Sequence, residues 1–300
     1  MLNGKEELTL MVKHKSSVYF MSVIFCCASE RSGTKYLSYL FKNNIRGCVS
    51  KHEPIPNMFG KPIYWKYAGE TEKIKKIFLK KVKKINRYSA NVYVETNHAF
   101  LKSFSDVAME FFPDMKLIHL IRSPIKMAKS ALNRYKQVRK FRYPYRYKAD
   151  NGKKYIKWTL TGEEQIFKDY DCDWNDLYKL TDDNKIYQII LLHWIEIENR
   201  AMSFLNKYNK HKDCYILESP KNLNEEDVLN DMFNFFNLEL KQKNISFSGR
   251  KNKGIKPTII SEIEKIQLKE IVNKLPSKYL QIFNQKPYTD FDWSNLFSQY

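Results

Sequence analysis

Apolar residues gather into short runs along this chain, and between the runs they recur every three or four positions. Residues 18–28 form a near-continuous apolar run that stops at a polar loop, Ser29-Glu30-Arg31-Ser32-Gly33-Thr34. Tyr36, Leu37, Leu40 and Phe41 then follow at helical spacing. A run of this kind bounded by turn residues reads as a strand buried on both faces, and the spacing after it as a helix. The alternation continues. Residues 45–49 read as a second strand running toward His52-Glu53-Pro54, and 70–88 as a surface helix with Ile74, Ile77, Phe78 and Val82 on its apolar face. Residues 91–94 predict a strand leading into Glu95-Thr96-Asn97-His98, and 99–112 a helix ending at Pro113. The run 116–121 predicts another buried strand, followed by Arg122-Ser123-Pro124 and a helix to about residue 135. Pro124 suits a first helical turn, where its missing N–H costs nothing. Further on come a helix at 186–205, a strand at 215–217, and helices at 224–237 and 258–274. Residues 55–70 hold prolines, glycines and aromatics, as in a loop over a site, and 136–182 read as an insertion or lid of weak periodicity. Strands alternating with helices predict a three-layer α/β fold around a central parallel sheet, in a single domain spanning 1–300.

A strand that feeds a Gly/Ser/Thr loop and then a helix N-terminus is an anion site. Backbone N–H groups point outward there and the helix dipole adds roughly half a positive charge. Arg31 and Lys35 bracket this turn, so the loop is built for a phosphate or sulfate. A nucleoside triphosphatase loop has the pattern G-x-x-x-x-G-K-S/T. Here Ala28 stands at the first glycine, and Lys35 comes one residue late, after Gly33 and Thr34. A P-loop kinase is therefore the weaker alternative.

Arg31-Ser32-Gly33-Thr34 after a strand resembles the 5′-phosphosulfate loop of sulfotransferases that use 3′-phosphoadenylyl sulfate (PAPS). That family binds the 3′-phosphate with an arginine at a strand end and a serine eight residues later. Arg122 and Ser130 have this spacing, about two helical turns, which lets a guanidinium and a hydroxyl converge on one phosphate. Arg250-Lys251 with Gly254 resembles the family's late loop over the same phosphate, and residues 215–238 resemble the stretch between, with a degraded acidic-aromatic motif. The resemblance spans roughly residues 18–275 in order. It implies the P-loop-like sulfotransferase fold, PAPS as co-substrate, no metal, and a 5′-phosphate held by Arg31, Ser32, Gly33, Thr34 and Lys35. It also implies that Arg31 neutralises charge on the leaving group. Small-molecule members of the family carry a histidine base where Asn97 falls here, one residue before His98. Protein-tyrosine and several carbohydrate members place a glutamate after the second strand, matching Glu53 in His52-Glu53-Pro54. The base is expected among Glu53, His98 and His52, in that order.

Composition narrows the partners less than it narrows the compartment. There are 52 basic and 33 acidic residues, a net charge of +19, which favours anionic partners without choosing among them. A lysine-rich bias of the chain accounts for part of this charge. Aromatics alternate with cations between residues 134 and 158: Tyr135, Tyr143, Tyr145, Tyr147 and Tyr155 among Arg139, Lys140, Arg142, Arg146 and Lys148. Such a segment suits a sugar or an acidic polymer such as an anionic glycan, and also single-stranded nucleic acid. With the glutamate-type base that the resemblance implies, a carbohydrate hydroxyl is the favoured acceptor. Protein tyrosine or a small metabolite comes behind it, and nucleic acid is less favoured. A non-catalytic glycan- or nucleic-acid-binding protein on the same scaffold is the other alternative. Trp194 and Arg200 read as a core and a surface residue. The five cysteines lack metal-ligand or disulfide-framework spacing, which points to a reducing compartment, and a cytoplasmic protein is expected. No run reaches the roughly 18 apolar residues of a membrane span. Residues 18–28 could pass for a signal-peptide core, but cleavage there would remove the strand that positions the loop.

Overall fold

The first apolar run becomes β1, Ser22–Ala28, in the computed structural model of the chain, which describes residues 21–140, 145–171, 182–247 and 259–297. Alternate side chains of β1 point to opposite faces. Val23, Phe25 and Cys27 join one apolar cluster, and Ile24, Cys26 and Ala28 join another, so the run is continuous because both faces are covered. Then follow α1 (Thr34–Asn44), β2 (Cys48–His52), α2 (Lys61–Tyr67), α3 (Thr71–Ile85) and β3 (Val92–Thr96). A π-helical turn, Phe100–Phe104, leads into α4 (Ser105–Phe111), β4 (Lys116–Arg122) and α5 (Pro124–Lys140). The hairpin of β5 (Arg146–Lys148) and β6 (Lys154–Ile156) and the short α6 (Gln165–Asp169) precede the long α7 (Asp183–Lys207). β7 (Cys214–Ser219), α8 (Glu226–Phe235) and α9 (Glu262–Lys274) lead to a series of 3₁₀ turns.

Five strands form one parallel sheet in the order β2-β3-β1-β4-β7. The α1 and α8 helices bury Leu37, Leu40, Phe41, Leu229, Met232 and Phe233 on one face. The other face is covered by α3, α4, α5, α7 and the C-terminal turns. From β1 the chain moves to one side for β2 and β3, then crosses to β4 on the other. β1 and β4 thus flank the point where strand order reverses, the place where open α/β sheets form a crevice beyond the strands' carboxyl ends.

Three stretches differ from the pattern-based reading. The second strand starts at Cys48, three residues late, because Ile45 instead bridges Leu240. The stretch 55–70 contains α2, which opens at Gly60 (φ 76°) with Pro62 in its first turn. Within 136–182, the described residues Tyr155, Ile156, Leu160, Ile166 and Phe167 are buried. Asp150 at the hairpin tip accepts from Lys61 Nζ (2.9 Å), Trp65 Nε1 (2.8 Å) and Lys73 Nζ (3.1 Å), which fastens the hairpin to α2 and α3. Weak periodicity there reflects packing by a short hairpin and a five-residue helix, neither long enough to show a period. Residues 277–297, which show no helical or strand period, bury Phe283, Tyr288 and Phe297 near Trp194. Tyr288 donates to Glu198 Oε2 (2.9 Å), and His119 Nε2 lies 2.8 Å from the same oxygen, linking these turns to α7 and β4. Among the described residues no helix is long and apolar enough to cross a membrane.

One buried ion pair orders the sheet's carboxyl edge. Lys81 of α3 donates to both oxygens of Glu95 on β3, at 2.7 and 2.9 Å. Tyr93 Oη and Asn97 Nδ2 donate to the same carboxylate at 2.8 and 2.9 Å. Removing one partner of such a pair leaves an uncompensated buried charge. Lys81→Met is therefore expected to destabilise the fold by about 3–5 kcal/mol, measured as a lower urea midpoint at constant slope; an unmoved midpoint would refute it.

Candidate active site

The turn after β1 is held by its own side chains. Ser29 and Ser32 are buried, and their hydroxyl oxygens lie 2.8 Å apart across the turn. Arg31 and Gly33 both adopt positive φ, 62° and 95°, so the backbone reverses quickly into α1. A Cβ on Gly33 would come within 3.0 Å of Leu223 Cδ1 and 3.1 Å of Ser219 Oγ. Glycine is needed here for space as well as for conformation. The amides of Tyr36 and Leu37 bond to the carbonyl of Gly33 at 2.9 and 3.0 Å. First-turn amides point out of a helix's N-terminal end, toward an anion if one is present. Thr34 is buried at this end, whereas Lys35 is exposed.

The adjacent strand brings the second motif to the first. Arg122 closes β4, and its Nη1 donates to the carbonyl oxygen of Arg31. Arg31 Nε in turn donates to Ser130 Oγ on α5 at 3.1 Å. Two arginines and a hydroxyl, from positions about 90 residues apart, thus meet where β1 and β4 diverge. Their summed positive potential favours an anion in that crevice.

The three candidate bases also converge. Glu53 follows β2 in the left-handed region at φ 47°, a strained conformation of the kind that clusters at functional sites. Its Oε1 lies 3.3 Å from His98 Nε2 and 3.7 Å from His52 Nε2. The His98 ring packs on Phe59 with centroids 4.7 Å apart. His52 Nδ1 donates to the Thr96 carbonyl at 2.9 Å. Below this group lies Lys102, buried in the π-helical turn. Its Nζ donates to the Trp158 carbonyl at 2.8 Å, and lies 3.0 Å from His98 Nδ1 and 3.6 Å from Glu30 Oε2. Glu30 belongs to the β1–α1 loop, so Lys102 links the loop to the base cluster.

Burial dominates the electrostatics of this group. It pushes the Glu53 carboxyl above its ordinary value, opposed by the Lys102 cation and aided by Glu30. Burial, then the charges of Lys102 and His52, hold the His98 imidazole well below its ordinary value. Burial lowers Lys102 to about 8 against the pull of Glu30 and Glu53. His52 is lowered by burial, and Lys35 acts in the same direction. A half-buried carboxylate with a raised pKa can accept a proton from a hydroxyl brought to it.

Asn97 is occupied in holding backbone: its amide donates to Asn57 O and Glu95, and its oxygen caps Ala99 N–H. Trp194 is fully buried, as expected of a core residue. Arg200 is not a free surface residue; its side chain is 21% exposed and pairs with Glu196 (2.8 Å) and Glu164 (3.6 Å). Arg250 and Lys251 lie outside the described residues, as do the side chains of Arg139, Lys140, Arg142 and Tyr143. Sequence reasoning missed Lys102 and Glu30. The available signal was Lys102's i+4 spacing from His98, easily taken for an ordinary helix surface. Among the described residues, no three His, Cys, Asp or Glu side chains are grouped to hold a metal ion.

No protein-family model matches the chain, and no curated protein matches it. Among solved structures, a sulfotransferase from Alicyclobacillus acidocaldarius is similar at 14% identity with a TM-score of 0.40, over 85% of this chain and 97% of that one.

Gly33→Ala is expected to lower stability by about 1–3 kcal/mol, the cost of a non-glycine residue in the left-handed region. Denaturant unfolding measures it, and a wild-type midpoint would show that the loop tolerates a side chain at this position.

Proposed function

We propose that the protein is a sulfotransferase that moves a sulfuryl group from PAPS to an acceptor hydroxyl, with a carbohydrate as the favoured acceptor. The observation that carries the reading is the meeting of Arg31, Arg122 and Ser130 at the β1/β4 crevice. The donor has two phosphate-bearing ends, and this crevice offers two adjoining basic junctions for them. In this reading Arg31, Lys35 and the backbone of Ser32, Gly33 and Thr34 hold the 5′-phosphate. Arg122 and Ser130 hold the 3′-phosphate, joined by Arg250 and Lys251.

The chemistry is an in-line displacement. A bond forms between the acceptor oxygen and sulfur while the bond from sulfur to the 5′-phosphate oxygen breaks. The hydroxyl proton passes to Glu53, and the negative charge left on the bisphosphate falls beside Arg31. Positioning and fixed charges supply most of the rate in such a transfer. The link from Glu30 to Lys102 at 3.6 Å and on to Glu53 through His98 supports a base adjoining the donor loop. The +19 charge is compatible with an anionic glycan as acceptor.

Arg122→Ala is expected to weaken binding of adenosine 3′,5′-bisphosphate by about 2–3 kcal/mol, the scale of a lost charge-assisted bond. Calorimetry reads this directly, and unchanged affinity would sink the donor assignment, as would a preference for ATP. Glu53→Gln is expected to abolish transfer from labelled PAPS, scored by mass shift across an acceptor panel, with bisphosphate affinity retained. Because Glu53 must be deprotonated to act, wild-type turnover is expected to rise with pH. Its acidic limb should lie above the ordinary carboxylate range, since burial raises this group. A flat acidic limb would remove Glu53 from the role.

A further inference from the structure

We infer that Lys102 is a positioning residue that locks His98 in the tautomer carrying its proton on Nε2, so that His98 donates to Glu53 and does not itself act as the base. The part played by Glu53 rests on the sulfotransferase reading; the lock does not.

Three acceptors surround Lys102 Nζ: the Trp158 carbonyl at 2.8 Å, His98 Nδ1 at 3.0 Å and Glu30 Oε2 at 3.6 Å. An ammonium has three protons and no lone pair, so it donates to the Trp158 carbonyl and to His98 Nδ1 while its charge pairs with Glu30. His98 Nδ1 must then be the bare nitrogen, and in a neutral ring the proton sits on Nε2, facing Glu53 Oε1 at 3.3 Å. The opposite tautomer would set N–H against the ammonium and a lone pair against the carboxylate, two repulsive contacts. A doubly protonated ring keeps the first of them. His52 takes the reverse form, because a carbonyl can only accept and Nδ1 lies 2.9 Å from Thr96 O. Its Nε2 lies 3.7 Å from the same Glu53 oxygen, beyond hydrogen-bond reach, so the Thr96 carbonyl sets the form of this ring. The groups bearing on His98 are His52 at the end of β2, Glu53 after it, Lys102 in the π-helical turn, Arg31 in the β1–α1 loop and His193 of α7. Those bearing on Lys102 include Glu30, Glu53 and, from α7, Arg200.

The test is a two-bond nitrogen–proton correlation spectrum of the full chain labelled with ¹⁵N-histidine, the His98 signals being assigned by their loss in His98→Gln. The expected pattern is a bare Nδ1 and protonated Nε2 for His98, and the reverse for His52. A protonated Nδ1 on His98 overturns the lock, with or without turnover. Lys102→Met adds the functional readout. Removing a cation that lowers both groups is expected to move the acidic limb of the Glu53 pH–rate profile to higher pH and to let His98 titrate at higher pH. A fall in turnover with an unmoved limb would show a structural role only. If Lys102→Met does not fold, the tautomer in the unsubstituted protein still decides. If PAPS supports no turnover while His98 has the stated tautomer, the lock stands and the sulfuryl-transfer reading falls.

Discussion

The buried pair of Lys81 and Glu95 is the constraint on which the carboxyl edge of the sheet depends. A carboxylate with no exposed surface survives only if its oxygens are fully hydrogen-bonded and its charge is matched. Glu95 meets that demand by drawing together Lys81 from α3, Tyr93 from its own strand and Asn97 from the turn beyond. Asn97 then reaches across to the carbonyl of Asn57, and Lys81 lies 3.4 Å from that of Pro54. The loop carrying Glu53 and the turn carrying His98 are therefore fixed to one anchor. Their side chains can hold a contact of 3.3 Å without either belonging to a regular element.

The same demand governs the charged groups above this anchor. Glu30, Glu53, Lys102 and Arg122 come from four segments, and each sits near an opposite charge or a backbone carbonyl, while Arg31 donates to the Ser130 hydroxyl. Fixed dipoles and charges in a partly dry crevice act more strongly than the same groups in water. The α7 helix serves as a common wall. One side of it carries the Arg200–Glu196 pair, while Glu198 on another ties His119 of β4 to Tyr288 of the C-terminal turns. The C-terminal aromatics thus brace α7.

The Arg31 loop and the Arg122–Ser130 interval were legible because each depends on local order. A strand end, a tight turn and a helix start must be contiguous in the chain, so Arg31-Ser32-Gly33-Thr34 declares itself as an anion turn by its pattern, and the Arg122 to Ser130 interval by its resemblance to the sulfotransferase spacing. Glu53, His52 and His98 were visible as candidates through the same resemblance, which places a base at or just past the end of a strand. Lys102 and Glu30 were not. Their importance comes from burial beside one another, and a lysine in Phe100–Phe104 looks like any helical lysine until Trp158 and His98 are placed against it.

By itself the sequence determined the alternating βα order, the double-sided burial of β1 and β4, and the two basic strand ends, since hydrophobic period and turn chemistry are local properties. Only the tertiary structure decided that β1 and β4 are neighbours, that Arg122 reaches the carbonyl of Arg31, and that three candidate bases form one cluster. It also decided the packing of residues 277–297, whose burial follows no period because irregular turns fill space left by other elements. The reason is physical. Strand order and the pairing of buried charges are set by which surfaces close together, and that is a property of the whole chain, not of any window along it.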